Sequence, residues 1–246
     1  MRKKRCTAVV LAAGSGSRMK SPVAKQFMLL DKKPLIWYAL KAVEESSVID
    51  DCILVTGAED IPYMRDEIVE RYAFRKVDTI AAGGAERFLS VANALRIIAE
   101  NRMTVPNDDG YVFIHDGARP FLTEKILEDT YRAVEKYHAC VAAVPSKDTV
   151  KIADGEGFVE ATPARNLLWS IQTPQVFDTR LILEAYGKYL TQWERCQGMR
   201  VTDDAGVVEL VTDTKVKLVY ASYENMKITT PEDFIIAEGF LRSRNG

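Results

Sequence analysis

The sequence is poor in the residues that build metal clusters and disulfide frameworks. Its 246 residues include two histidines and four cysteines, which lie far apart and form no CxxC pair: Cys6, Cys52, Cys140 and Cys196. This spacing excludes a local zinc motif and favours buried, reduced thiols in a cytoplasmic protein. A long apolar run is missing too. The basic residues 2–5 lead into a short β-like stretch, so we expect neither a signal peptide nor a membrane span.

An excess of positive charge is also absent. The chain has 33 Lys and Arg against 35 Asp and Glu, which gives a formal net charge of −2 at pH 7. Proteins that hold nucleic acid through its phosphates need a basic surface, so we expect no nucleic-acid partner. Any site for a phosphorylated ligand must therefore be a local cluster of cations.

Short apolar stretches alternate with amphipathic ones along the chain. The β-rich runs are residues 7–11, 52–56, 77–81, 111–115 and 140–144. The helical patterns lie near residues 35–45, 63–74, 87–100 and 123–137. With 47% hydrophobic residues, the chain can bury a sizeable core. The alternation predicts an α/β fold, a single Rossmann-like domain over residues 1–246 whose mostly parallel sheet is covered by helices on both faces.

This alternation breaks after Pro145. Two short strands, 148–152 and 158–161, flank a loop rich in turn residues, which predicts a projecting β-hairpin arm over residues 146–172. The arm packs either on its own domain or on a second subunit, and the pattern does not separate these alternatives. Beyond the arm we expect helices at 179–189, 204–210 and 231–242 and a strand at 216–221.

The first predicted strand runs into a glycine turn that is followed by two cations. Residues 11–19 read LAAGSGSRM, and residues 25–27 read KQF. Glycines let backbone N–H groups approach a polyphosphate, while Arg18 and Lys25 supply positive charge. The turn lacks the lysine and hydroxyl residue of a P-loop, and Met19 stands where a dinucleotide motif has its third glycine. The alternative is a strand-ending turn with unrelated surface cations.

Polar residues also follow the third and fourth predicted strands, as GGAERFLSV at 83–91 and HDGARP at 115–120. Ligands of α/β sheets bind beyond the carboxyl ends of the strands, so these loops should converge with the glycine turn. Asp116 could hold Mg²⁺ together with substrate phosphates, and Arg119 could bind a phosphate with its planar fork. The alternative for this pair is a loop salt bridge. We expect His115 to pack at the strand end rather than to act as a base.

A set of motifs carries a resemblance to a known family. Besides those above, the chain contains DTVK at 148–151, RNLLWSIQTPQVF at 165–177, TDDA at 202–205 and NMKITTPED at 225–233. In this order, and across nearly the whole chain, the motifs resemble those of the 2-C-methyl-D-erythritol 4-phosphate cytidylyltransferases of the non-mevalonate isoprenoid pathway. The related ribitol-5-phosphate cytidylyltransferases usually read LAGGxGxRM and HDxVRP instead.

The resemblance implies a nucleotidyltransferase domain that transfers CMP from CTP to 2-C-methyl-D-erythritol 4-phosphate and releases pyrophosphate. It also implies a homodimer in which each arm completes the partner's active site, and a Mg²⁺ ion at Asp116. The implied catalytic residues are Arg18, Lys25 and Lys227. The implied CTP-binding residues are Ala12, Ala13, Gly14, Ser15, Gly16, Gly84, Ala85 and Ser90.

The implied substrate-binding residues are Arg119, Thr149, Arg165, Thr173, Thr202 and Lys227, with Thr149 and Arg165 supplied by the partner chain. One position departs from the pattern, since some members of the family carry Asp where this chain has Ala85. A backbone contact survives that change, whereas a side-chain role does not. Two alternatives remain beside the main interpretation: a ribitol 5-phosphate or other polyol phosphate acceptor, and a non-catalytic nucleotide-binding dimer.

Overall fold

The computed structural model describes residues 3–14, 24–196 and 201–245, and it contains a seven-stranded central sheet. The strands in chain order are β1 (Cys6–Ala12), β2 (Leu29–Leu30), β3 (Lys33–Pro34), β4 (Asp51–Thr56), β5 (Val77–Ala82), β6 (Tyr111–Asp116), β7 (Ala139–Pro145), β8 (Ile152–Ala153), β9 (Val159–Ala161), β10 (Trp169–Asp178) and β11 (Lys217–Tyr220). The central sheet has the order β11-β7-β10-β6-β1-β4-β5. Only β10 is antiparallel to its neighbours in this sheet, so the prediction of a mostly parallel sheet is confirmed.

Helices cover both faces of the sheet. They are α1 (Leu35–Glu45), α2 (Ile61–Tyr63), α3 (Arg87–Ala99), α4 (Glu124–Tyr137), α5 (Thr179–Cys196), α6 (Asp204–Val211) and α7 (Pro231–Asn245). Side chains alternate along the central strands: in β1, Ala8 and Val10 join a core with α1 and α4, whereas Val9 joins a second core with α3, α5 and α6. This period of two explains why the central strands are continuous apolar runs, since both of their faces are buried.

A third, smaller core anchors the last helix. Ala237 of α7 packs with Ile228, Phe121 and Leu30, the last of which lies in the small β2–β3 hairpin. This packing brings the segment before α7 against the loop that follows β6. None of the helices in the described ranges is both long enough and apolar enough to cross a membrane.

The hairpin arm projects from the sheet. Strands β8 and β9 pair antiparallel, as predicted, but they are shorter than the predicted strands. All residues from 147 to 162 are exposed, and the apolar side chains of Phe158 and Val159 are 68% and 60% exposed. The β8–β9 hairpin is therefore left exposed, whereas residues 169–172, which were included in the predicted arm, belong to β10 of the central sheet.

Two predicted helices differ from the structure, and one strand of the central sheet was not predicted. The helix expected at 63–74 is instead α2 followed by a π-helical segment at Met64–Glu70. The helix expected at 179–189 continues to Cys196. The strand β10 was not predicted, because its polar residues and Pro174 hide it; the register of its pairing with β7 shifts between Ile171 and Gln175, which is where a sheet tolerates proline.

Candidate active site

A cleft of about 380 Å³ lies at the carboxyl edge of the sheet. It brings together residues predicted from five separate stretches of the sequence: Ala12, Ala13, Gly14, Lys25, Gly84, Ala85, Ser90, Asp116 and Lys227. The convergence follows from topology, because parallel β1, β5 and β6 all end at this edge. Three other predicted residues, Ser15, Gly16 and Arg18, lie outside the described residues.

The loop after β5 forms one wall of the cleft, and its close packing requires glycine. A Cβ added to Gly83 would lie 2.3 Å from the Cβ of Ala13, so the two loops can approach this closely only without that side chain. The Gly84 N–H donates to Ser90 Oγ at 3.0 Å, and Ser90 Oγ donates to the Glu86 carbonyl at 3.3 Å. The Ser90 hydroxyl thus fixes the shape of the loop that lines the cleft.

Asp116 ends β6 at the centre of this edge and is 7% exposed. Its Oδ2 lies 2.8 Å from Lys227 Nζ, and its Oδ1 accepts from Arg87 Nε at 3.3 Å. Arg119 is a more distant neighbour, with its Nε 3.8 Å from Oδ2. Burial by itself would raise the pKa of Asp116, but the charges of Arg87, Lys227 and Arg119 together hold that pKa well below its usual range. The carboxylate is therefore ionised at any physiological pH.

Two lysines, Lys25 and Lys227, also line this cleft. Lys25 opens a short 3-10 helix, Lys25–Phe27, and its Nζ donates to the Ile228 carbonyl at 2.8 Å. The Ile228 N–H in turn donates to the Ala118 carbonyl at 2.8 Å. This ties Lys25 to the loop after β6 and places Lys227 beside Asp116.

Arg119 is buried, but its hydrogen-bonding capacity is not exhausted. It is 8% exposed, and its Nη1 donates to the Asn225 carbonyl at 2.8 Å. Its Nε is buried and makes no hydrogen bond within residues 3–14, 24–196 and 201–245. The 3.8 Å separation from Asp116 is too long for a hydrogen bond, so the salt-bridge alternative accounts for only part of the side chain.

A second, smaller cleft of about 260 Å³ adjoins the first. It is lined by Arg119, Thr173 and Thr202, which were predicted, and by Gln172, Gln175, Ile171 and Asp203, which were not. Arg87, Asp116 and Lys227 line both clefts. The other two residues predicted at the substrate, Thr149 and Arg165, are exposed in and beside the arm and line neither cleft of their own chain.

Thr173 and His115 hold the loop that carries Asp116. The Asp116 N–H donates to Thr173 Oγ1 at 3.0 Å, so the Thr173 hydroxyl proton is free to donate to His115 Nδ1, also at 3.0 Å. His115 Nε2 lies 3.3 Å from the Arg119 carbonyl and donates to it. His115 is 1% exposed, and burial lowers its pKa to about 4. It is thus a neutral, packed residue, as expected from the sequence.

Sequence reasoning missed the counter-charge behind Arg87. The guanidinium of Arg87 binds the fully buried carboxylate of Asp204, with Nη1 and Nη2 at 3.0 and 2.8 Å from its two oxygens. Burial lowers the pKa of Arg87, but Asp204 and Asp116 more than compensate and raise it. Both charges lie in motifs that the sequence analysis singled out, GGAERFLSV and TDDA, but in the second motif only Thr202 was assigned a role, at the substrate. Asp203 does cap α6, accepting from the Gly206 N–H at 2.9 Å.

The donor set for a metal ion is small. Within the described ranges, no group of three or more His, Cys, Asp or Glu side chains could hold a cation. Mg²⁺ is commonly bound by one or two carboxylates together with substrate phosphates and water. An ionised Asp116 at the junction of two clefts fits that mode, provided that Lys227 leaves Oδ2 as the ion arrives. The residues therefore fit an ion that enters with a polyphosphate rather than one held by the protein alone.

The comparisons with known proteins all give the same family. Residues 6–243 match the family model described as IspD, 2-C-methyl-D-erythritol 4-phosphate cytidylyltransferase. The chain is 45% identical to the protein of that name from Lachnoclostridium phytofermentans, covering 97% of both chains, and 49% identical to that from Lachnospira eligens, covering 96% of this chain and 99% of the other. It is also similar to the crystal structure of 4-diphosphocytidyl-2C-methyl-D-erythritol synthase from Anaerococcus prevotii, with a TM-score of 0.80, 35% identity and coverage of 97% and 99%.

Proposed function

Because the chain belongs to the 2-C-methyl-D-erythritol 4-phosphate cytidylyltransferase family, we propose that its two adjoining clefts separate the two substrates of that reaction. The protein is a nucleotidyltransferase that transfers the cytidylyl group of CTP to 2-C-methyl-D-erythritol 4-phosphate, giving 4-diphosphocytidyl-2-C-methyl-D-erythritol and pyrophosphate. The observation that carries the division of the site is that Arg87, Asp116 and Lys227 line both clefts. The reacting phosphorus belongs at that junction.

In this proposal CTP occupies the larger cleft. Its base and ribose lie along the backbone of the β1 and β5 loops, and its triphosphate lies against Lys25 and Arg18. The proposed nucleotide contacts are Ala12, Ala13, Gly14, Ser15, Gly16, Gly84, Ala85 and Ser90. What supports this placement is the close approach of the loops after β1 and β5 at Gly83, and the presence of Lys25 in the same cleft.

The acceptor occupies the smaller cleft. Its phosphate binds between Lys227 and Arg119, and Thr173 and Thr202 lie along its path. Arg119 supports this assignment because its buried Nε makes no hydrogen bond to any residue that the structure describes, and an anion would supply an acceptor.

Catalysis is a matter of orientation and charge. A phosphate monoester carries a charge of about −1.5 to −2 at pH 7, so the attacking oxygen needs no general base. That oxygen forms a bond to the α-phosphorus of CTP as the bond to the departing pyrophosphate breaks. Lys25 and Arg18 stabilise the charge that develops on the α-phosphate and the leaving group, while Lys227 holds the acceptor in line.

We propose Mg²⁺ as the cofactor, with Asp116 as its protein ligand. A divalent cation held there would partly neutralise the negative charge of the CTP phosphates. Asp116→Asn should weaken Mn²⁺ binding in the presence of a non-hydrolysable CTP analogue, measured by electron paramagnetic resonance. Unchanged Mn²⁺ affinity would remove Asp116 from the proposed metal site.

The reaction assignment is tested by pyrophosphate release. Four nucleoside triphosphates are crossed with methylerythritol phosphate and ribitol 5-phosphate, and we expect the CTP and methylerythritol phosphate pair to give the highest kcat/KM. Lys25→Ala should lower kcat by about 10²–10³-fold and raise the acceptor KM far less. Lys125→Ala is the matched control, since that lysine is 82% exposed on α4 and remote from the clefts. Wild-type turnover of the Lys25 variant would contradict the proposed role.

We further propose a homodimer in which the arms are exchanged. The arm presents Phe158, Val159 and Ile152 to solvent, and it carries the two predicted substrate residues that line neither cleft of their own chain, Thr149 and Arg165. Exposed apolar surface of this kind is typical of a protein interface.

The dimer is tested by complementation. Arg165→Ala and Lys25→Ala chains are each inactive in this proposal, but in a mixed dimer one intact core meets one intact arm. Mixing and subunit exchange should therefore restore up to about a quarter of the wild-type activity. Without exchanged arms, no mixture regains activity. Phe158→Glu should yield monomers in sedimentation velocity.

We also propose that the protein works in the cytoplasm. Cys6, Cys52 and Cys140 are buried and free, as suits a reducing compartment, and burial raises the pKa of Cys6 to about 12. In intact cells whose outer layers have been removed, the protein should resist added protease until the cells are lysed. Digestion before lysis would contradict this location.

A further inference from the structure

Asp204 is a buried charge whose place is fixed from several sides. It begins α6 and has no exposed surface, and its Oδ1 accepts from the hydroxyl of Tyr186 on α5 at 2.6 Å. The backbone N–H groups of Asp204 and Ala205 both donate to Gln175 Oε1 of β10 at 2.9 Å. A helix, a neighbouring helix and a central strand therefore hold this carboxylate in one position.

The fixed carboxylate determines the orientation of Arg87. Both terminal nitrogens of its guanidinium bind Asp204, one to each oxygen. Because the guanidinium is planar, this two-point contact also fixes the direction of Nε, which donates to Asp116 Oδ1. Oδ2 of Asp116 is then left to Lys227, 2.8 Å away.

We propose that Asp204 is a positioning residue for the transfer reaction, acting through Arg87 to fix the carboxylate of Asp116 at the junction of the two clefts. The proposal rests on the role given above to Asp116. Without Asp204, the fork of Arg87 is free to turn towards Asp116 and bind both of its oxygens. Asp116 would then be displaced from Lys227 and from the phosphates, although every residue around the substrates is still present.

The chain offers a matched control for the loss of a buried ion pair. Asp51, at the start of β4, is 5% exposed and pairs with Arg5 at the opposite end of the sheet. The side chains of Arg5 and Arg87 are equally exposed, at 29%. Asp51→Asn therefore measures what breaking such a pair does to turnover when no substrate is near.

Asp204→Asn keeps the volume and the acceptor for Tyr186, but it removes the charge and one acceptor for Arg87. We expect kcat to fall about 10–100-fold, the size of effect seen when groups that orient active-site ligands are removed. CTP affinity, measured by calorimetry in EDTA and without acceptor, should stay within about threefold of wild type, because Asp204 touches neither cleft and no metal ion then links CTP to Asp116. Asp51→Asn should leave kcat within about twofold.

Arg87→Lys carries the same test if the Asp204 variant fails to fold. Lysine keeps the charge but cannot make the two-point contact, so kcat should fall as it does for Asp204→Asn. Wild-type turnover of Arg87→Lys would show that charge alone suffices and would overturn the proposal.

A double-mutant cycle separates positioning from structure. If Asp204 acts through Asp116, then adding Asp204→Asn or Arg87→Lys to Asp116→Asn should lower kcat by no more than about threefold further. If the kcat losses of the single variants instead multiply in full in the double variant, the proposal is overturned. If Asp116→Asn is impaired but Asp204→Asn behaves like Asp51→Asn, this inference alone is overturned. If Asp116→Asn has wild-type turnover, the proposed role of Asp116 is overturned as well.

Discussion

His115 should make the stability of this protein fall steeply in mildly acidic solution. The imidazole is buried and neutral: Nδ1 accepts from the Thr173 hydroxyl, and Nε2 donates to the Arg119 carbonyl. Protonation would place a second hydrogen on Nδ1, where the Thr173 hydroxyl now donates. Burial lowers the pKa of His115 from 6.5 to about 4, so the folded protein resists a proton that the unfolded chain accepts readily.

The size of the effect follows from that shift. Above pH 6.5 both states are neutral and the contribution of His115 to stability is complete. As the pH falls towards 4, the unfolded chain binds a proton and the folded protein does not, so the free energy of unfolding decreases. With about 1.4 kcal/mol for each pKa unit, the loss attributable to His115 between pH 7 and pH 5 is about 2 kcal/mol.

Urea denaturation at pH 7 and pH 5 measures this loss, with EDTA present and the protein concentration fixed. The control is His115→Gln, whose amide can still donate to the Arg119 carbonyl but does not titrate. The variant will be less stable at pH 7, so the quantity compared is the change in unfolding free energy between the two pH values. We expect the wild type to lose about 2 kcal/mol more than the variant. Equal losses would refute the assignment of His115 as a buried neutral base.

Two further substitutions test the walls of the clefts. Gly83→Ala places a methyl group against Ala13, so it should destabilise the fold by about 1–3 kcal/mol and raise the KM for CTP, with melting temperature and kinetics as the readouts. Gly155→Ala in the arm meets no atom within 4 Å and should change neither, and a similar response from both variants would contradict the packing argument. Asn225→Ala removes two buried hydrogen bonds that its amide donates to β10, at 3.0 and 2.9 Å. Since the carbonyl of Asn225 holds Arg119, we expect the acceptor KM to rise about tenfold while the KM for CTP is little changed. Steady-state kinetics with each substrate varied in turn measure both constants, and a rise in the KM for CTP with an unchanged acceptor KM would contradict the argument.

The apolar pattern was sufficient to predict most of the sheet, because buried parallel strands are continuous apolar runs. It was not sufficient for β10. This strand lies in the middle of the sheet, yet Gln172, Thr173 and Gln175 give it the composition of a loop. Each of these polar residues is buried and bonded to the site: Thr173 to Asp116, Gln175 to the start of α6, and Gln172 to the Asn225 amide. The residues that hid the strand are the ones that the site requires.

Ion pairs between distant segments could not be predicted from the sequence, for a different reason. Arg87 and Asp204 are separated by 117 positions, and nothing in either motif identifies the other as its partner. A sequence shows that a charge is present, but whether it is buried depends on the packing of α3, α5 and α6, which no local pattern specifies. The sequence therefore singled out Lys25, Arg119 and Lys227 for the site, but neither Arg87 nor the carboxylate of Asp204 that pairs with it.

The segment at 225–228 shows how much of a charged site can be built from the backbone. The carbonyl of Asn225 accepts from Arg119, the carbonyl of Ile228 accepts from Lys25, and between them the side chain of Lys227 meets Asp116. One short stretch thus orients three cations that belong to three different parts of the chain. Only Lys227 could be chosen from the sequence, since every residue has a carbonyl and its direction is set by the chain path into α7. The positions of Arg119 and Lys25 are thus set by main-chain carbonyls, and the path of that main chain is maintained by the small core under α7.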